Sequence, residues 1–149
     1  YNQINMPSDR KKRVMIFGTF DILHFGHFHI FEEARKLGDE VIAVIARDIN
    51  VQKIKGRKSF HNENERKFIL SHINFIDKAI LGDKKNVYKA IKKMKPDIIL
   101  LGYDQINFVD HLKENLKKNN LSVKILRVKP LNSHHYKTNK IKEYLNKFI

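Results

Sequence analysis

Two histidines three residues apart, His24 and His27, close the string Gly18-Thr19-Phe20-Asp21-Ile22-Leu23-His24-Phe25-Gly26-His27, the stretch of this chain best equipped for chemistry. An apolar run, Val14-Met15-Ile16-Phe17, leads into it, and an amphipathic helical pattern begins near Phe28. A strand therefore ends, a glycine-bearing turn follows, and a helix starts with imidazoles at its mouth. The first turn of a helix has free backbone N–H groups and the positive end of the macrodipole, so anions settle there. Side chains at i and i+3 share a face, so both rings can donate to one anion, and a polyphosphate suits such a place. Two other readings stand beside this one. The rings could only cap the helix, or His24, His27 and His29 could form a metal site. Residues 27 and 29 project about 200° apart on a helix, which disfavours the metal and leaves His29 as an exposed side chain.

Alternating elements must hold these residues in place. Arg13–Phe17 reads as a first strand and Gly26–Leu37 as a helix stopped by Gly38. Glu40–Ala46 is a second strand whose nearly continuous β-branched apolar residues suit burial on both faces of a parallel sheet. A basic stretch, Lys53-Ile54-Lys55-Gly56-Arg57-Lys58, reads as a loop. Asn62 then caps a helix running to about Ile73, with Glu65 at capping-box spacing. Lys78–Leu81 is a short strand, Asn86–Met94 a helix ended by Lys95-Pro96, and Asp97–Leu101 the most apolar strand. Phe108–Lys118 is a helix, Ser122–Val128 a strand and Lys137–Phe148 the last helix. The sum is a three-layer α/β fold, a Rossmann-like open parallel sheet of about five strands. Residues 13–149 form one domain behind a loose lead-in, residues 1–12. Ligands of such sheets sit beyond the carboxyl ends of the strands. Gly18–His27, Arg47-Asp48 and Gly102-Tyr103-Asp104-Gln105 all fall there.

Composition narrows the function further. The net charge is +14, but Lys outnumbers Arg about three to one and is scattered along the whole chain. No block of like charge marks a tail, and no aromatic residues interleave with Arg as a single-strand platform would require, so nucleic acid is not the expected partner. A positive field attracts a nucleoside triphosphate equally well. There is no Cys, which excludes disulfides and thiolate metal sites and fits a cytoplasmic setting. No apolar run approaches membrane-spanning length and no signal peptide is visible, so no membrane partner is expected.

The string GTFDILHFGH resembles the HxGH signature of the cytidylyltransferase-like nucleotidyltransferases, and the resemblance extends over nearly the whole chain from Arg13. Lys55-Gly56 with Asn62-Glu63-Asn64-Glu65-Arg66 is similar to the basic loop and following helix of choline-phosphate cytidylyltransferases. Asn74-Phe75-Ile76-Asp77 sits where those enzymes carry arginine-tyrosine-valine-aspartate. Leu100-Leu101-Gly102-Tyr103-Asp104-Gln105, Ala46-Arg47-Asp48 and Lys55-Gly56-Arg57-Lys58 look most like archaeal-type FAD synthases, which join the AMP of ATP to FMN. Glycerol-3-phosphate cytidylyltransferases share the first motif equally well. The family's Ser/Thr run before the last helix is replaced here by Asn132-Ser133-His134-His135-Tyr136-Lys137-Thr138, which keeps Ser133 and Thr138 as hydroxyls.

The resemblance implies attack by an acceptor's phosphate oxygen on the α-phosphorus of a nucleoside triphosphate, with pyrophosphate leaving. No protein nucleophile is needed, and none is visible. His24 and His27 are then donors to the phosphates. Lys55 is a mobile cation closing on the α-phosphate, with Lys53, Arg57 and Lys58 as competitors and a merely solvated run as the alternative. Gly18, Thr19, Phe20 and Gly26 line the nucleotide site, joined by Ser133, Thr138 and Arg66. Arg66 lies in the first turns of its helix, where the dipole disfavours a cation, so an anion or a base edge is its expected partner. Asp21, Arg57, Tyr103, Asp104 and Gln105 are the acceptor-side residues, Asp21 having a turn-stabilising role as its alternative. Mg²⁺ would arrive with the triphosphate. ATP with FMN is the first substrate pair. CTP with glycerol 3-phosphate or a similar phosphorylated alcohol is the enzymatic rival, and a nucleotide- or RNA-binding regulator on the same fold the non-enzymatic one. Enzymes of this kind are often homodimers, and the same is expected here.

Overall fold

The computed structural model describes residues 10–106, 109, 111–131 and 137–149. Five strands, β1 (Arg13–Gly18), β2 (Glu40–Ile45), β3 (Lys78–Leu81), β4 (Ile98–Leu101) and β5 (Lys124–Arg127), form one sheet in the order β3-β2-β1-β4-β5. Every pairing is parallel, with Val14 opposite both Val41 and Ile98. Among the described residues, six helices accompany the strands: α1 (Phe25–Leu37), α2 (Asp48–Lys55), α3 (Glu63–Ser71), α4 (Lys89–Met94), α5 (Leu112–Lys118) and α6 (Thr138–Leu145).

Strand periodicity sorts the core into two layers. Val14 and Ile16 of β1, Val41, Ala43 and Ile45 of β2, and Ile98 and Leu100 of β4 pack under Ile30, Phe31 and Ala34 of α1 and Leu70 of α3. The alternate residues, Met15, Phe17, Ile42, Val44, Ile99 and Leu101, face Ala90 and Ile91 of α4 and Leu112 and Leu116 of α5. The central strands are thus buried on both faces, as their unbroken apolar runs require.

The helix Asp48–Lys55 stands where a loop was expected. It is nearly invisible in sequence because only Val51 is buried and its N-cap, Arg47, makes no side-chain capping bond. Gly38 does end α1, for a different reason from the one anticipated. Its φ is −162°, ordinary extended backbone, but a Cβ there would lie 2.7 Å from the Lys12 carbonyl oxygen. The first half of Phe108–Lys118 lies partly outside the described residues, and helix α5 begins at Leu112.

The two ends of the sheet differ in how their charges are used. At the amino ends, Asp39, Asp77 and Asp97 accept from the backbone N–H groups of Lys12, Val41 and Arg13 at 2.8, 2.7 and 2.8 Å. Arg13 pairs with Glu40 at 2.8 Å, and Arg35 with Asp77 at 2.7 Å. Charge here is consumed in fastening strand starts. At the carboxyl ends the order reverses between β1 and β4, and a crevice opens where they diverge.

Candidate active site

A cleft of about 650 Å³ occupies that crevice, within the usual size of small-molecule sites. Its floor is the end of β1. Phe20 adopts a left-handed backbone (φ +52°), a conformation that costs a non-glycine residue roughly 1 kcal/mol or more. Packing holds it there. Its ring is only 4% exposed and lies 5.7 Å from the His27 ring and 5.6 Å from Phe31, centroid to centroid. Gly18 makes room for that ring, since a Cβ would come within 2.8 Å of it. The strained turn therefore seats His27.

His24 is the N-cap of α1, and the pair forms a capping box built from imidazoles. The Gly26 N–H donates to His24 Nδ1 at 3.2 Å, and the His24 N–H donates to His27 Nδ1 at 3.3 Å. A backbone N–H can only donate, so both Nδ1 atoms must be unprotonated and each neutral ring carries its proton on Nε2. Capping thus occupies Nδ1 and leaves an Nε2–H on each ring. Burial, followed by the charges of His24 and Lys55, holds the His27 pKa at about 3. Burial also lowers that of His24, opposed by Asp104. His29 does not join them. It lines the rim of the cleft, and its ring nitrogens lie near Glu32 and Glu33, the latter engaged by Lys36 at 2.8 Å.

One wall is built by α2 and the approach to α3. Asp48 accepts from the Glu63 N–H at 3.0 Å while Glu63 accepts from the Asp48 N–H at 2.8 Å, so each helix start is capped by the other's carboxylate. Arg47 forks onto Glu63 at 2.9 and 3.0 Å. Arg66 is wholly buried beneath this lattice. It donates to the carbonyls of Thr19 (2.6 Å), Ala46 (2.8 Å) and His61 (3.2 Å) and pairs with Asp48 at 2.7 Å. The expectation that Arg66 meets a nucleotide is therefore corrected. Its cation is turned inward to tie the ends of β1 and β2 to α3, because those carbonyls have no strand partner beyond the sheet. Asp21 lines the cleft, but both its oxygens accept from main chain, Phe60 N–H at 2.7 Å and His61 N–H at 2.8 Å. These bonds offset the cost of its burial and leave its pKa low.

Lys55 ends α2 and so stands on a helix rather than in a loop, immediately before Gly56 in the left-handed conformation. It lines the cleft with Arg57 and Lys58, whereas Lys53 does not. Desolvation, then the charge of Arg57, lowers its pKa.

The opposite wall comes from β4 and α6. Gly102, Tyr103, Asp104 and Gln105 all line the cleft. Gln105 folds its Oε1 back to the Gly102 N–H at 3.2 Å, and Arg127 of β5 donates to the carbonyls of Gly102 (2.6 Å) and Gln105 (2.9 Å). Lys137 pairs with Asp104 at 3.1 Å and sits 5.0 Å over the Tyr103 ring. Thr138 lines the cleft as the first residue of α6, beside Asn139, whose Oδ1 accepts from Arg57 at 3.3 Å across the mouth. Ser133 and the histidines beside it lie outside the described residues. Sequence reasoning missed Arg127, Lys137, Asn139 and Lys142. The lysines of the last helix and its N-cap are the one signal that could have pointed to Lys137 and Lys142, and Arg127 and Asn139 carry none.

Among the described residues, five cationic residues thus line the cleft against two carboxylates, of which Asp21 is engaged by main chain and Asp104 by Lys137. Preorganised donors around a polar crevice can hold anions and stabilise charge that grows on a leaving group. A parallel sheet with such a crevice at its switch point is a frame in which phosphorylated ligands bind. The chain belongs to the cytidylyltransferase-like family, whose model matches residues 15–144. It is 44% identical over 117 residues to a FAD synthase of Aciduliprofundum boonei, covering 78% of each chain. To a FAD synthase of Archaeoglobus fulgidus it is 43% identical over 126 residues, 81% of this chain and 90% of that one. Among solved structures it is similar to a lipopolysaccharide core biosynthesis protein of Thermoplasma volcanium. There the TM-score is 0.77 at 40% identity, covering 83% of this chain and all of the other.

Proposed function

We propose that this protein is an FMN adenylyltransferase, which joins the AMP of ATP to FMN and releases pyrophosphate. The observation that carries this reading is its likeness to archaeal FAD synthases over about four-fifths of its length, together with a cleft whose cations suit two phosphorylated ligands.

An FMN phosphate oxygen attacks the α-phosphorus of ATP. The new P–O bond forms as the bond to the bridging oxygen breaks, and the electron pair departs with pyrophosphate. The Nε2–H groups of His24 and His27 donate to the phosphate oxygens, remaining neutral donors throughout. Lys55 closes from the end of α2 on the α-phosphate, and its lowered pKa reflects an ammonium half-buried and beside Arg57, which a bound anion would relieve. The backbone N–H of Phe20, with Gly18, Thr19 and Gly26, forms the floor beneath the nucleotide. Arg57, Tyr103, Asp104 and Gln105 take the acceptor side. Mg²⁺ fits this donor set only as a companion of the triphosphate. Asp21 is committed to main chain, so Asp104 is the carboxylate that would reach the ion. Bound there, the ion would neutralise phosphate charge.

Pyrophosphate release from the pure protein with Mg²⁺, with ATP and CTP crossed against FMN, glycerol 3-phosphate and phosphocholine, tests the reading. Turnover with ATP and FMN alone is expected. Turnover with CTP and glycerol 3-phosphate instead would overturn the flavin assignment and keep the class.

A further inference from the structure

The lysines are spread along the sequence, yet the fold gathers nine of them on one face. Helices α4 and α5 pack on the same side of the sheet, with Ala90, Ile91, Leu112 and Leu116 turned inward. Lys84, Lys85, Lys89, Lys92, Lys93 and Lys95 lie exposed along and beside α4, and Lys113, Lys117 and Lys118 along α5. Among the described residues of 82–96 and 111–121, only Asp83 and Glu114 are acidic. Asp83 is already engaged, accepting from the N–H groups of Lys85 and Asn86 at 2.9 Å and pairing with Lys89 at 3.2 Å. The other side of the sheet is balanced, since α1 and α3 together carry four glutamates and four Lys or Arg residues. A general excess of lysine would load both sides alike.

Helix ends explain only part of this. Lys92 and Lys93 fall in the last turn of α4, and Lys117 and Lys118 in that of α5, where the macrodipole favours cations. Lys89 and Lys113 stand at the opposite ends, where it opposes them. The face lies apart from the cleft, to whose lining neither helix contributes. Its partner is a polyanion, and the surface chemistry selects among polyanions. No large apolar side chain of α4 or α5 is exposed. The face thus has no anchor for a protein pocket, no wedge for a bilayer and no ring on which unpaired bases could stack. Charge alone remains, and charge alone is what a duplex backbone offers in return. We infer that the α4–α5 face binds the phosphate backbone of double-stranded nucleic acid without reading its sequence. This binding is independent of the adenylyl transfer proposed for the cleft.

Fluorescence anisotropy of the full chain with labelled RNA and DNA duplexes of about 20 base pairs, and with labelled poly-glutamate, tests this. Affinity for either duplex is expected to fall about hundredfold between about 50 and 200 mM salt, as some four neutralised phosphates require. Lys93→Gln combined with Lys117→Gln should bind about tenfold more weakly, with a salt slope shallower by about two. Lys36→Gln combined with Lys67→Gln makes the same change in net charge on the balanced side, and should stay within about twofold of wild type. Both double variants should melt close to wild type, since all four side chains are exposed. Poly-glutamate, with its lower charge density, should bind at least about tenfold more weakly than a duplex. Equal weakening by the two double variants would overturn the assignment, reducing it to a diffuse field. Poly-glutamate bound as tightly as the duplexes would overturn it in favour of acidic polypeptides. A marked preference for one duplex sequence would overturn the reading of backbone alone, and no duplex binding by wild type at low salt would overturn the whole.

Discussion

The rings of His24 and His27 lie 3.9 Å apart, each using Nδ1 to accept a backbone N–H at the start of α1. The helix terminus thereby fixes both tautomers and keeps an Nε2–H donor on each ring. His27→Asn keeps an acceptor near the Nδ1 position and removes the distal donor. It should retain the fold and lose roughly 10²–10³-fold in turnover, the scale for one transition-state donor. Steady-state kinetics beside a thermal melt will check this, and near-wild-type turnover would refute the donor role.

The same pair makes a pH prediction. His27 titrates at about 3 in the fold, mainly through burial, against about 6.5 when unfolded. Between those values the unfolded chain binds a proton that the folded chain refuses. Stability therefore falls as pH drops through that window, and this contribution is fully restored above about 6.5. The His27 ring proton shift followed by NMR should stay flat from pH 8 to 5, and an inflection near neutrality would contradict it.

Arg66→Ala should be a stability variant first. It strips donors from three main-chain carbonyls, at a cost of about 1–3 kcal/mol for each buried acceptor left unpaired, and takes the guanidinium from half-exposed Asp48. Urea denaturation gives the value. A fully stable Arg66→Ala with raised KM for ATP would restore the substrate-facing role.

Lys55→Ala should lower kcat more than it weakens ATP binding, whereas Lys53→Ala, outside the cleft lining, should change neither. Single-turnover and equilibrium binding experiments separate the two effects. Equal losses from both variants would show that the basic run acts only as a field.

Much of this fold could be read from sequence because its signals are local. Unbroken apolar runs mark β2 and β4, and Asn62 with Glu65 forms the capping box that its spacing announced. The string from Gly18 to His27 likewise places both histidines at one helix mouth. What escaped is held by contacts distant in sequence. Arg66 looked anomalous in its helix, and the anomaly was genuine, but its resolution lay inward with Thr19 and Ala46. Arg127 carries no motif at all, yet it shapes the loop that bears Tyr103 and Asp104.

Helix α6 walls the cleft without burying a residue, and its described fastenings to the rest of the chain are polar. Abundance and activity should therefore part company along the chain. In a scan of single substitutions, positions in β1, β2 and β4 would lower the amount of folded protein, whereas cleft-facing positions of α6 would leave it unchanged and lower turnover. Variation confined to the last dozen residues could retune the enzyme's affinity for its nucleotide while the sheet beneath stays indifferent to it.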